Sequence, residues 1–131
     1  MSDKMTRNFT KEEVACPCCG LLPTYAFMLM VQGVRDYAGV PLSVSSCARC
    51  ETHNESIGGA SKSHHIVDGN ESQDDKHGAI DIRVSPKDGV LRYKIVAGAV
   101  KLGFTGIEIG THHVHLDTRK TTPFMWTGVS K

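Results

Sequence analysis

The run Thr111-His112-His113-Val114-His115-Leu116-Asp117-Thr118-Arg119 decides how this chain is read. Three histidines within four positions, followed by an acid and a base two apart, are not the pattern of a packed core. If Gly106 to Arg119 is extended, alternate side chains face opposite sides. His113, His115 and Asp117 then share one face, and His112, Val114 and Leu116 take the other. A strand carrying His113-x-His115 presents two imidazole nitrogens to one small volume, which suits a divalent metal. The same spacing also fits a solvated polar edge strand, so residues upstream must choose between the two.

Size and charge narrow the function classes. At 131 residues the chain is expected to form one domain, large enough to bury a core without staples. Fifteen basic and fourteen acidic residues leave a net charge of +1, with no polybasic tail, which gives no electrostatic case for nucleic acid. A small or mixed-charge substrate fits better. No apolar run approaches the ~20 residues of a membrane span. The start, Met1 to Glu13, lacks the apolar centre of a signal peptide, so synthesis in the cytoplasm is expected.

The cysteines are Cys16, Cys18, Cys19, Cys47 and Cys50. An odd count without a signal peptide argues against a disulfide framework. Grouped as Cys-x-Cys-Cys and Cys-x-x-Cys, they are candidates for a structural metal site of four thiolates. The alternative is reduced, small, buried side chains.

Along the chain, Thr10 and Glu13 form the pattern of a capping box on a short helical turn. Thr24 to Tyr37 reads as a helix with Phe27, Leu29, Val31, Val34 and Tyr37 on its apolar side, ending by Gly39. Leu42 to Ser45 reads as a short strand. Cys47 to Asn70 is polar and Gly/Ser-rich and reads as a long loop, with an acidic, solvated patch at Glu71 to Lys76. Ala79 to Val84 is a strand, Leu91 to Leu102 a helix stopped by Gly103, and Thr105 to Gly110 a strand leading into the histidines. The class is α+β. The predicted core is Phe27, Leu29, Val31, Val34, Ile80, Ile82, Ile95, Val96, Val100, Leu102, Phe104 and Ile107, with Trp126 covering its end or lining a cleft.

Zinc catalysis needs three ligands of His, Asp or Glu type and an open fourth position. His65, Asp81 and His115 are the candidates. Asp81 sits between Ile80 and Ile82 and so points away from their face. A buried carboxylate needs a partner; a metal is one, and an ion pair with Arg83 or Lys94 is another.

Taken together, several segments resemble the M15 family of zinc D-Ala-D-Ala peptidases. They are Ser46-Cys47-Ala48-Arg49-Cys50 with His53-Asn54, Gly58-Gly59-Ala60-Ser61-Lys62-Ser63-His64-His65, Ala79-Ile80-Asp81-Ile82, Gly103-Phe104-Thr105-Gly106-Ile107 and His113-Val114-His115-Leu116-Asp117-Thr118-Arg119. They come in the family's order and span nearly the whole chain, and the lead-in from Asn8-Phe9-Thr10 to Cys19-Gly20 resembles phage-type members. The resemblance implies a fold shared with the hedgehog signalling domain, in which a small antiparallel sheet floors a zinc cleft and helices pack behind. It implies a zinc peptidase, carboxypeptidase or endopeptidase, that cuts peptidoglycan stem peptides. A phage or prophage lysin acting on the cell wall after release is the setting it suggests. The alternative is a zinc-binding wall or protein recognition module that no longer cleaves.

Carried over by motif, the implied ligands of Zn2+ are His65, Asp81 and His115. Arg49 would bind a substrate carboxylate or carbonyl oxygen, and His113 would line the site. Asp117 and Arg119 would orient the ligands. Two departures from the family pattern stand out. The family's first histidine and its aspartate lie close in sequence, whereas fifteen residues separate His65 from Asp81 here, so Val67 to His77 reads as an insertion and His64 and His77 become rival ligands. At the position where many members carry an acidic base, this chain has His112. The base is left open between His112 and a carboxylate such as Asp74, Asp75 or Glu108.

Overall fold

The computed structural model describes residues 3–67 and 74–128. Much of the expected insertion, and Glu71 of the acidic patch, lies outside the described residues.

The chain opens with a two-stranded antiparallel ribbon, β1 (Lys4–Thr6) and β2 (Phe9–Thr10), then one helical turn, α1 (Lys11–Val14). The capping box is present: the Thr10 hydroxyl accepts from the Glu13 N–H, and Glu13 accepts from the Thr10 N–H. Next come α2 (Tyr25–Ala38), β3 (Val44–Ser46), α3 (Glu51–Ser56), β4 (Ala79–Arg83) and α4 (Gly89–Leu102). The chain closes with β5 (Gly106–Ile109), β6 (His113–Asp117) and β7 (Phe124–Thr127). Thr24 caps the start of α2, and Gly39 and Gly103 end α2 and α4 in the left-handed region, where a residue with a Cβ is strained. Among the described residues, no helix is long and apolar enough to cross a membrane.

The α+β class holds, with one correction to the sheet. Its order is β3-β4-β6-β5-β7, and the first three pairings are antiparallel, but β7 runs parallel to β5. The sheet is therefore mixed. The connection from β6 over residues 118–123 returns the chain to the far edge, which forces the parallel sense. The histidine segment is also not one extended run, because a turn at residues 110–112 makes β5 and β6 a hairpin.

Strand alternation sorts the faces. Ile80 pairs with Leu116, and Ile82 with Val114, on the side covered by helices; all four are fully buried. The Phe27 and Phe104 rings meet edge to face at 5.9 Å between centroids, joining α2 to the segment after α4. Three residues expected in the apolar core or stripe, Leu29, Tyr37 and Val100, are instead exposed. In α2 the buried line is Phe27, Met28, Val31, Val34 and Ala38, and Leu29 is about 200° around the helix from Phe27. In α4 the buried residues are Ile95, Gly98 and Ala99, of which Gly98 lets Val34 and Tyr37 of α2 approach closely, and Val100 turns outward. Val96 and Leu102 are half-buried against the core.

The segment read as a polar loop from Cys47 contains α3. Its sequence, Glu51-Thr52-His53-Asn54-Glu55-Ser56, has no apolar stripe to announce a helix. It forms because Cys50 Sγ caps it, accepting from the His53 N–H at 3.3 Å, and because Asn54 is anchored underneath.

Candidate metal centre

The opposite face of the sheet carries a cross-strand row that runs through all five strands. Ser46 pairs with Asp81, Asp81 with His115, His115 with Glu108, and Glu108 with Trp126. Strands β3, β4, β6, β5 and β7 thus each place one polar or aromatic group in line. The next row holds Asp117 of β6 opposite Gly106 of β5. Period-two alternation makes this possible, since the residues between them fill the core.

Three residues converge at the centre of that row. Donor atoms of His65, Asp81 and His115 lie within 4.8 Å of one another. His115 Nδ1 is 2.8 Å from Asp81 Oδ1, and His65 Nε2 is 3.2 Å from Asp81 Oδ2. His65 is buried although it comes from a loop. Its Nδ1 lies 2.7 Å from the Cys47 carbonyl, and a carbonyl can only accept, so Nδ1 carries the hydrogen and Nε2 faces Asp81. A parallel bridge between Arg49 and Ile66 holds this loop in place: the Arg49 N–H donates to His65 O and the Val67 N–H to Arg49 O.

His115 is clamped from its other side by Asp117, whose Oδ2 is 2.8 Å from Nε2. Asp117 is fully buried and is held by Arg119 through Nε at 2.8 Å and Nη2 at 2.5 Å. Burial opposes the charge on Asp81, but hydrogen bonds from His115 and His65 win and hold its carboxyl well below the usual range. Burial likewise opposes the charge on Asp117, and hydrogen bonds from Arg119 and His115 outweigh it. Burial pulls the His115 pKa down, but hydrogen bonds to Asp117 and Asp81 push it up to about 9. With no metal bound, the two carboxylates that flank His115 would favour its imidazolium form near neutral pH.

Around the three lie the other residues singled out from sequence. The Arg49 side chain is mostly buried and held by Ser46 Oγ and by Asn54 Oδ1, each at 3.2 Å, with Nη2 3.8 Å from Asp81 Oδ2. His113 is not in the central group; its Nε2 is 3.0 Å from Glu108 Oε1, and Glu108 Oε2 accepts from Trp126 Nε1 at 3.0 Å. His112 precedes β6 and shares an open groove with His113, Arg83 and Asp81. Trp126 lines the cleft rather than the core. Its ring is 5.9 Å from that of His115, and the Arg119 guanidinium stacks on it at 4.7 Å.

The rival histidines fall outside the centre. His64 stacks on His77 at 5.3 Å in a neighbouring polar cavity, and His77 Nε2 bonds the Ile66 carbonyl. Asp74 pairs with Lys120 there, and Asp75 uses its carbonyl to accept from Thr24. Four cysteines, Cys16, Cys18, Cys19 and Cys50, form a second cluster, whereas Cys47 is buried apart from them and contributes its carbonyl to His65. Asn54 and Trp126 were the partners hardest to see in the sequence. An asparagine four residues after a Cys-x-x-Cys run is a weak signal, and no motif ties Trp126 to Glu108.

The sequence model of the family described as Peptidase M15 matches residues 3–117, almost nine-tenths of the chain. The chain belongs to the peptidase M15 family. Membership makes it a zinc-dependent metallopeptidase acting on a peptide-containing substrate. Among curated proteins, none matches the chain. The matched span contains His65, Asp81, His115 and Arg49, and it ends on Asp117.

Proposed function

We propose that this M15 peptidase hydrolyses peptide bonds in the stem peptides of peptidoglycan, using zinc held by His65 Nε2, an Asp81 carboxylate oxygen and His115 Nδ1. The single observation that carries the ligand set is the chemistry of the donors. Two imidazole nitrogens and one carboxylate converge, with each ring's other nitrogen engaged by an acceptor, Cys47 O for His65 and Asp117 for His115. That second layer of acceptors is how metal-binding histidines are fixed in tautomer and direction. These three residues would hold the ion and would leave it free to take a water or substrate oxygen as well.

When bound, zinc supplies Lewis acidity, polarising a carbonyl and bringing the proton loss of water to roughly pH 7. The protein supplies the rest. Arg49, fixed by Ser46 and Asn54, puts a permanent cation beside the cage, where a substrate carbonyl oxygen or terminal carboxylate gains charge-assisted hydrogen bonds. Glu108 lies in the same row as His115 and orients His113 through Nε2. Of the acids considered for proton transfer, Glu108 lies in the row with the cage, whereas Asp74 is tied to Lys120. We assign proton handling to the Glu108–His113 pair. Trp126 closes one wall with an apolar ring.

The peptidoglycan substrate rests on the resemblance of Ser63-His64-His65, Ala79-Ile80-Asp81 and His113-Val114-His115 to D-Ala-D-Ala peptidases. The test is a mass-spectrometric assay of purified protein on a panel of muropeptides, with chelator and with zinc restored. Zinc-dependent release of a D-alanine or of a shortened stem is expected. No cleavage by zinc-loaded protein across the panel would leave a recognition module in its place.

A further inference from the structure

We infer that Cys16, Cys18, Cys19 and Cys50 form a second metal site, a four-thiolate cage for a soft tetrahedral cation of the zinc type, separate from the peptidase centre. The inference does not depend on the peptidoglycan reading or on the His65–Asp81–His115 ligand set.

The spacing of the sulfurs is the first reason. Cys16 and Cys18 Sγ are 3.5 Å apart, Cys16 and Cys50 3.8 Å, and Cys18 and Cys50 3.2 Å. All four sulfurs lie within 4.8 Å of one another. Zinc–sulfur bonds of about 2.3 Å place the corners of a tetrahedron about 3.8 Å apart, so three of the edges are already near their bound length. All five cysteines are free thiols.

Burial is the second. Unliganded cysteines collect in proteins as small apolar side chains. Cys47 fits that description, and so would Cys16 alone, since both are buried. Cys18 and Cys19 do not, because both are exposed yet turned onto the same point. Packing gives no reason for two exposed thiols to converge on Cys16 and Cys50.

The third reason is the backbone around the sulfurs. The Cys50 N–H donates to Cys16 Sγ at 3.4 Å, and the His53 N–H donates to Cys50 Sγ at 3.3 Å. Hydrogen bonds of this kind favour the thiolate that a metal requires. Residues 16–21 are folded into a tight loop by two backbone bonds, Cys16 N–H to Leu21 O and Gly20 N–H to Cys16 O, which present the three early cysteines together. Cys50 reaches them from 31 positions beyond Cys19, at the first turn of α3.

The position gives the site a structural role. It joins the segment after α1 to the start of α3. Arg49 immediately precedes Cys50, and the Ala48 N–H donates to Val14 O on the other side of the junction. A metal there ties down the arm that carries Arg49 and the Cys47 carbonyl.

The test is metal content and cobalt spectroscopy on protein purified without oxygen. The intact chain is expected to hold two equivalents of zinc. Cobalt substitution should give an intense thiolate-to-metal charge-transfer band that His115→Ala retains and Cys18→Ser loses. Cys18 is exposed, so its replacement leaves the core intact; the wild-type cobalt spectrum decides the matter if that variant fails to fold. No charge-transfer band in the wild type, or disulfides among these four cysteines in anaerobic protein, would overturn the site. Zinc loss from His115→Ala reports only on the peptidase centre, so the two claims fail separately.

Discussion

His115 Nε2 and Asp117 Oδ2 are 2.8 Å apart, and the carboxylate of Asp117 is wholly shut away from water behind the ring it holds. This pair turns a strand histidine into a fixed donor, because Nε2 is committed and Nδ1 is left facing Asp81. Asp117→Asn keeps the shape but removes the charge that Arg119 and His115 share. Zinc affinity should fall about 10–100-fold, as for other acceptors that orient metal-binding histidines. Competition against a chromophoric chelator measures it, and unchanged affinity would remove Asp117 from this role.

Gly106 is required by the same pair. A Cβ there would lie 2.1 Å from Asp117 Oδ1 and 2.6 Å from Arg119 Nε, closer than atoms can approach. Both polar groups are locked by each other, so neither can step aside cheaply. Gly106→Ala should destabilise the fold by about 1–3 kcal/mol in urea titrations and weaken zinc binding in parallel. A variant with wild-type stability and affinity would show that Asp117 has room to move.

Protonation of His115 makes the metal-free chain sensitive to alkali. Its pKa is about 9 in the folded chain, against roughly 6.5 when unfolded. A raised pKa means the protonated form favours folding. The contribution is full below about pH 6.5 and is lost as pH rises through 9. The lowered carboxyls of Asp81 and Asp117 act in the other direction, contributing above the unfolded carboxylate range near 4 and losing that as acid is added. Denaturant midpoints of chelator-treated protein should therefore fall between pH 7 and 10, by the known linkage of protonation to folding. His115→Gln should flatten that alkaline limb.

Trp126 is the chain's one tryptophan and lies 5.9 Å from the His115 ring, so it reports on the centre directly. Zinc added to stripped protein should change its fluorescence and saturate on filling of the His65–Asp81–His115 cage. The change should be missing in His115→Ala. A response that persists in that variant would place its origin elsewhere.

The sequence revealed some of this and concealed the rest for physical reasons. Helices α2 and α4 were legible from period and from their end signals, Thr24 with Gly39 and Gly103. The phase of their buried faces was less so. The α2 core line includes Gln32, which is buried because it bonds Thr6, Asn8 and Asp36, and hydrophobicity alone puts Leu29 inside in its place. Strand β7 was invisible because Phe124-Met125-Trp126-Thr127 has little alternation, and it is held by parallel pairing to β5. At the site, alternation placed His115 and Asp117 on one face and turned Asp81 away from its flanking isoleucines, and family resemblance supplied Arg49 and the roles given to His65 and Asp81. Nothing in a one-dimensional pattern says that Ser46, Asp81, His115, Glu108 and Trp126 form one row. That row is a property of register, which is set where the strands meet.

The most direct measurement is zinc content by elemental analysis of the wild-type chain beside Asp81→Ala. Asp81 touches both histidines, so its loss breaks the cage at its middle. Loss of one full equivalent of zinc, together with all peptidase activity, is the predicted result. Unchanged zinc with full turnover would contradict the cage and move the catalytic metal elsewhere in the chain.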